Sequence, residues 1–235
     1  DEMFDLATAL DKQLLPQGRR VAILTNAGGL GILCADSCEA SGLTVPELGD
    51  RTKALLRQFL PATASVMNPV DMIASASPDQ FHKAIEVLLS SDESDALIVL
   101  YIDVALTDPK AIVQGITTGV AVARNRGKMT KPVYTCIMAS AVPTKPLAID
   151  GERIPNFAFP ETPARVLSKI ATYAEWRNKS EGMMPEFDDI QPTSARSLCQ
   201  SVLHRGGAGW LSAAEIRTVL ASFAVPLPRT VVCRT

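Results

Sequence analysis

The residues Arg19–Gly31, Arg-Arg-Val-Ala-Ile-Leu-Thr-Asn-Ala-Gly-Gly-Leu-Gly, decide the fold. The apolar run Val21–Leu24 predicts a buried strand. Small residues follow over Thr25–Gly29, and a helix-like stretch runs from Leu30 to Ala40. A strand that stops at small residues just before a helix leaves backbone N–H groups unpaired at the helix start. Those groups and the positive end of the helix dipole form an anion site. Glycine has no Cβ to keep a phosphate away from the backbone. The segment therefore predicts a cradle for a phosphate or a carboxylate. Taken alone, it also reads as a tight strand-to-helix connection.

Working outward, the chain alternates strands with helices. Phe4, Leu6, Leu10 and Leu14 recur at helical spacing and predict a helix over Glu2–Leu15, ended by Pro16-Gln17-Gly18. Ser41-Gly42 stops the helix after the cradle. Leu43–Leu48 reads as a second strand, and Pro46 places it at a sheet edge. Asp50 is the expected cap of a helix over Asp50–Leu60. Ser77 and Pro78 open a helix to Ser90 whose stripe is Phe81, Ile85, Leu88 and Leu89. Ala96–Ile102 is apolar throughout, as befits the centre of a parallel sheet covered on both faces. A helix over Asp108–Arg126 follows, weakened by Gly115 and Gly119. Val133–Met138 and Ile154–Phe159 are the last two strands, and two prolines and a glycine argue against a helix over Ala141–Glu152. Thr162 is the expected cap of a helix over Pro163–Arg177. The result is an α/β fold, a flavodoxin-like doubly wound parallel sheet of about five strands, with ligand sites at the carboxyl ends of the strands.

Residues 179–192 are polar and read as a linker between a domain over residues 1–178 and a second segment over 193–235. That segment predicts a helix over Ala195–Leu203 and a helix from Ser212 to Phe223 with Ser212 and Glu215 in capping-box spacing. A strand over Thr230–Cys233 closes it. Trp210 is the expected core anchor. Some forty residues with so thin a core read as the start of a domain that continues elsewhere, and the opening at Asp1 reads as a cut within a longer protein.

Composition narrows the function. The 235 residues are 47% hydrophobic and 20% charged, with a net charge of −2 and 5% aromatics. Scattered basic residues argue against nucleic-acid binding. No apolar run approaches a membrane span, and the opening residues do not read as a signal peptide. Five cysteines without a CxxC pair point to a reducing cytoplasm rather than to zinc or disulfides. Cys34 and Cys38 share one helix face and read as packing residues, and Asp36 and Glu39 as a solvated face. His82 reads as a surface or half-buried residue, and His204 as a partner of a helix end.

Three stretches carry a resemblance: Arg19–Ala40, Asn68-Pro69-Val70-Asp71 and Lys131-Pro132-Val133. Together they resemble the NDP-forming acyl-CoA synthetases, relatives of succinyl-CoA synthetase. Gly209–Glu215 and Ala224-Val225-Pro226 resemble the opening of the ATP-grasp domain of those proteins. The resemblance implies a reaction in which acyl-CoA, phosphate and ADP give acid, CoA and ATP through a phosphohistidine that lies outside this chain. It implies that Asn26, Ala27, Gly28 and Gly29 supply backbone donors to the phosphoryl group, with no catalytic side chain and no metal ligand here. Asn68 and Asp71 would support the neighbouring loop. ATP or ADP, magnesium and CoA are implied for the full-length protein, as are the phosphohistidine loop and the ATP-grasp domain as partners. Leu30 stands where the family often has proline. Two other readings stay open: the degenerate, regulatory part of a protein lysine acetyltransferase, and a non-catalytic assembly module, including a homodimer.

Overall fold

The computed structural model describes residues 2–11, 13–127, 131–149, 151–180, 182 and 187–229. The chain divides into two compact units, Asp1–Lys179 and Ser180–Thr235.

The first unit contains α1 (Glu2–Leu10), β1 (Val21–Thr25), α2 (Gly28–Ala40), α3 (Asp50–Arg57), β2 (Val70–Asp71), α4 (Pro78–Ser90) and β3 (Ala96–Ile102). It continues with α5 (Pro109–Asn125), β4 (Val133–Met138), β5 (Leu147–Ile149), β6 (Glu152–Ile154), β7 (Asn156–Phe157) and α6 (Glu161–Arg177). Five strands form a parallel sheet in the order β2-β1-β3-β4-β7, while β5 and β6 form a separate antiparallel hairpin. Counting only strands of the large sheet, the order is the doubly wound one of a flavodoxin-like fold.

Alternation along the strands divides the core into two layers. Leu97, Val99 and Tyr101 of β3 face Phe81, Ile85, Ile112 and Ile116 of α4 and α5. Ala96, Ile98 and Leu100 face Cys34 and Cys38 of α2 and Leu167 and Ile170 of α6. A strand buried on both sides needs no polar positions, which is why Ala96–Ile102 carries none.

The edge beside β1 differs from the expectation. Leu43–Leu48 forms no strand; it contributes one isolated bridge, Thr44 to Arg20. Pro46 has no N–H to extend that ladder, and the next pairing comes from a side chain. The Asn68 carboxamide accepts from Ile23 N at 2.9 Å and donates to Val21 O at 2.8 Å and to Pro46 O at 2.9 Å. Val70 and Asp71 then pair with Leu24 and Thr25. Three separate pieces of chain thus complete one edge. The Asn68–Pro69 peptide is cis.

Several boundaries shift. α1 ends at Leu10 rather than Leu15. α2 begins at Gly28, two residues before the expected Leu30. Gly49, not Asp50, holds the cap position of α3, and that helix ends at Arg57. A Cβ at residue 49 would lie 2.7 Å from a Glu93 carboxylate oxygen, so glycine there makes room for the acceptor of the Thr52 hydroxyl. α6 begins at Glu161, with Pro160 rather than Thr162 at its cap. The expected strand Ile154–Phe159 is divided between the hairpin and β7, with Pro155 between them. Gly115 and Gly119 do not interrupt α5. A Cβ at either would stand within 2.4 and 2.8 Å of the carbonyls of Pro78 and His82 on α4, so both serve close helix packing. The expected cap Ser77 is in place, and Asp108, expected as the first residue of its helix, caps α5 instead.

The second unit contains α7 (Pro192–Gly206) and α8 (Ala213–Ala221). α7 begins ahead of the expected Ala195, and the Ser212–Glu215 capping box is formed. Trp210 is 98% exposed and anchors no core among the described residues; Ala195 is the one fully buried hydrophobic residue there. The expected strand Thr230–Cys233 lies outside the described residues.

Candidate functional site: a helix N-terminus at the carboxyl edge of the sheet

β1 ends at Thr25, and α2 starts three residues later. The connection is fixed from both sides. Thr25 Oγ1 donates to Ala27 O and accepts from Ala27 N, each at 3.0 Å. Asn26 is 2% exposed, and its carboxamide pairs with the backbone of Ile102 at the end of β3, accepting from its N–H at 3.0 Å and donating to its carbonyl at 2.9 Å. Ala27 caps α2 in an extended conformation with no side chain acting as cap. Its carbonyl accepts from Leu30 N and Gly31 N.

Of the four expected donors, Ala27 N–H is therefore already bonded internally. Gly28 N–H and Gly29 N–H have no acceptor among the described residues and stand at the positive end of a 13-residue helix. Around them each glycine has its own reason. A Cβ at Gly31 would lie 3.1 Å from Pro69 and 3.2 Å from the Thr25 methyl, so this glycine lets the helix seat against the edge. A Cβ at Gly28 would lie 2.9 Å from Asp71 Oδ2, and no other side chain comes within 4 Å of that point. Nothing lies within 4 Å of a Cβ at Gly29, so the helix start is open there. Asp71 is itself fixed: its Oδ1 accepts from Ile73 N at 2.9 Å, and its backbone pairs with Ser65. Asn68 is thus part of the sheet edge, and Asp71 sets a carboxylate against Gly28.

Exposed apolar side chains also lie in the segments that follow β1, β3 and β7. Ile32 on α2 is 61% exposed, Leu106 beyond β3 is 64% exposed and Phe159 beyond β7 is 63% exposed.

The other candidates lie away from this edge. Cys34 and Cys38 are fully buried in the layer under α2. The Cys38 side chain and burial together hold the Cys34 thiol far above its ordinary range, so it is no nucleophile. Burial also pushes the Cys136 thiol up to about 12. Asp36 and Glu39 are exposed, as expected. His82 pairs with Glu86 one turn away at 2.5 Å, and His204 sits in the last turn of α7. Lys131 belongs to the Lys-Pro-Val stretch before β4. Its ammonium donates to the carbonyls of Leu88 (3.1 Å) and Ser91 and to the Ser94 hydroxyl, at the end of α4. Burial draws it down to about 8. It lies before β4, at the amino end of the sheet, and serves the fold. Among the described residues, no group of three or more His, Cys, Asp or Glu residues could hold a metal ion. No helix among them is long and apolar enough to cross a membrane.

The Ligase-CoA domain family matches residues 21–180, from the first residue of β1 to just beyond α6. The chain belongs to the Ligase-CoA domain family. Within that match lie β1, the Gly28–Gly29 helix start and the Asn68–Asp71 edge. Over 178 residues this Ligase-CoA chain is 39% identical to the acetate–CoA ligase [ADP-forming] II subunit alpha of Pyrococcus furiosus, covering 74% of this chain and 38% of that one. It is 26% identical over 209 residues to the acetate–CoA ligase [ADP-forming] I of Archaeoglobus fulgidus, covering 88% and 28%. Among solved structures, a dinucleotide forming acetyl-coenzyme A synthetase 1 from Ca. Korarchaeum cryptofilum, in complex with phosphate and ADP, superposes with a TM-score of 0.64 at 27% identity. The match covers 75% of this chain and 37% of that one. The chain thus spans well under half the length of these relatives.

Proposed function

We propose that this chain is the phosphoryl-cradling part of an NDP-forming acyl-CoA synthetase. The full-length protein would convert acyl-CoA, phosphate and ADP to acid, CoA and ATP through a phosphohistidine carried by another segment. The observation that carries this reading is the pair of unpaired N–H groups of Gly28 and Gly29, aimed out of an open helix start at the carboxyl edge of the sheet. Phosphoryl transfer asks the protein mainly for position and for stabilisation of charge, which fixed backbone donors and a helix dipole supply. Thr25 and Asn26 hold those donors rigid, because both side chains are used up in bonding the backbone around them.

The helix start offers backbone donors, and Asp71 is the side chain that a Cβ at Gly28 would meet. ADP or ATP, magnesium and CoA would bind on other domains. Residues 193–235 would begin the ATP-grasp domain that takes the phosphoryl group, after a linker over 179–192. The exposed apolar rim at Ile32, Leu106 and Phe159 would be covered by the segment that brings the phosphohistidine. A cytoplasmic site of action agrees with cysteines that are all unpaired among the described residues.

The test uses the full-length protein incubated with labelled ATP and magnesium. An acid-labile, base-stable phosphoryl adduct on a histidine is expected. A protein that takes up no label while still binding acyl-CoA would overturn the proposal in favour of a regulatory role.

A further inference from the structure

We propose that the cavity beyond β7 is a binding site for a small carboxylate, held by the Asn156 carboxamide and the Arg165 guanidinium. The site does not rest on the phosphoryl cradle. The cradle follows β1, and β3 and β4 lie between β1 and β7 in the sheet, a separation of about 14 Å at three strand spacings.

Asn156 opens β7 and is 4% exposed. Its Oδ1 accepts from Ile137 N at 3.0 Å and shares the Thr135 hydroxyl proton with Pro155 O, at 3.2 and 2.9 Å. These bonds fix the planar carboxamide, and turning it over would set Nδ2 against the Ile137 N–H. Nδ2 is buried and has no partner among the described residues. Asn26 and Asn68 also complete the sheet with their carboxamides, and both donate to backbone carbonyls. Of the three, Asn156 keeps its donor unused. A fixed, buried donor without an acceptor is costly and rare, and it points to an acceptor from outside the chain.

The cavity supplies the place for one. Val133 and Ile137 belong to the core layer under α5, and by strand alternation Thr135 faces the same way. Asn156, reached by the Thr135 hydroxyl, faces that layer too. Thr144 and Pro146 come from the same side, in the loop that leads to Leu147 of that layer. With Asn156 they line a cavity of about 450 Å³, completed by Asp5 of α1 and by Thr162 and Arg165 of α6, a size suited to a small metabolite. Arg165 is exposed, and its guanidinium stands 3.5 Å from the Thr162 hydroxyl. Neither Arg165 nor Asp5 forms an ion pair among the described residues. A carboxylate matches this wall, because it has one oxygen for an amide donor and one for a guanidinium. Its single charge suits one cation, whereas a phosphate would bring more charge against Asp5. An ammonium on the same ligand would meet Asp5, so an amino acid belongs to the class as well as a simple acid.

The test titrates propionate, and alanine in parallel, into the full-length protein and follows each by saturation-transfer NMR. Propionate should show a binding component that Arg165→Met weakens about tenfold or more, the scale of one charge-assisted bond. The residue is exposed, so this variant should keep the wild-type unfolding midpoint. Asn156→Asp keeps an acceptor for Ile137 N, replaces the donor with a second oxygen and should remove the same component. Raising the salt concentration should weaken binding in the wild type and change Arg165→Met little. Alanine bound more tightly than propionate, with the preference lost in Asp5→Asn, would support the site and assign it to amino acids; the reverse preference would support it and assign it to simple acids. Propionate and alanine curves that match the wild type in both variants would overturn the proposal and leave Nδ2 to solvent. Should Asn156→Asp fail to fold, an unchanged curve in Arg165→Met alone would overturn it.

Discussion

Asn26 and Asn68 flank β1, and each uses its carboxamide as a piece of backbone. Asn26 pairs with both polar groups of Ile102, and Asn68 pairs with Ile23, Val21 and Pro46. Asn68→Ala should leave a donor and an acceptor of buried β1 without partners. It should cost about 2–4 kcal/mol in denaturant unfolding, from two or more unsatisfied buried groups. Asn68→Asp should recover little, because a carboxylate cannot donate to Val21 O or Pro46 O. Tyr134 presents the opposite case: its hydroxyl is buried without a partner among the described residues, and burial holds its proton above the ordinary value. The folded state therefore keeps a proton that the unfolded chain releases near pH 10, so this group lowers stability as pH rises through that value. Tyr134→Phe should be neutral or stabilising by about 1 kcal/mol at pH 7, with a shallower loss of stability above pH 10. A steeper alkaline loss in the variant would contradict that reading. The role of Asn68 was not legible in the sequence. Asn-Pro reads locally as a turn, and the strand it completes lies 45 residues upstream.

At the scale of elements, legibility followed how local the determining physics is. Helices with a side-chain cap start within one residue of where the sequence places them, after Ser77, Asp108 and Ser212. Helices without one, α2 and α6, start earlier than expected. For α2, packing of Gly31 against Pro69 and Thr25 outweighs the poor helix propensity of two leading glycines. The glycines of α5 carry the same lesson. Propensity alone marks Gly115 as a weakness, and α4 makes it a requirement. Gly115→Ala should gain up to about 1 kcal/mol of propensity and lose more, because the new methyl would sit 2.4 Å from the Pro78 carbonyl. Net destabilisation of about 1–3 kcal/mol is expected from overpacking, measured by thermal unfolding; a stabilised variant would show that the α4–α5 contact is loose. Two-residue strands such as β2 and β7 give no periodic signal at all.

For the molecule as a whole, the doubly wound sheet was legible because its central strands are continuous apolar runs separated by helices. Its exposed end was not, since Ile32, Leu106 and Phe159 look in sequence like ordinary core residues. Trp210 shows the same limit: a large aromatic reads as an anchor, and nothing among the described residues buries it. The candidate cradle was half legible. Its place followed from a strand that ends in small residues. That Ala27 spends its N–H internally and that Asp71 faces Gly28 depends on contacts across the fold.

Under the proposed function, the open N–H groups at the start of α2 hold a phosphoryl group in transit. Gly29→Val tests it most directly, because a side chain there meets nothing within 4 Å in the protein itself yet stands over the donors. In the full-length enzyme, transfer of label from ATP to the histidine would be followed in a single turnover. A loss of about a hundredfold or more is expected, the order seen when a preorganised donor site is removed, with the unfolding midpoint little changed. Wild-type transfer in a folded Gly29→Val protein would contradict the account.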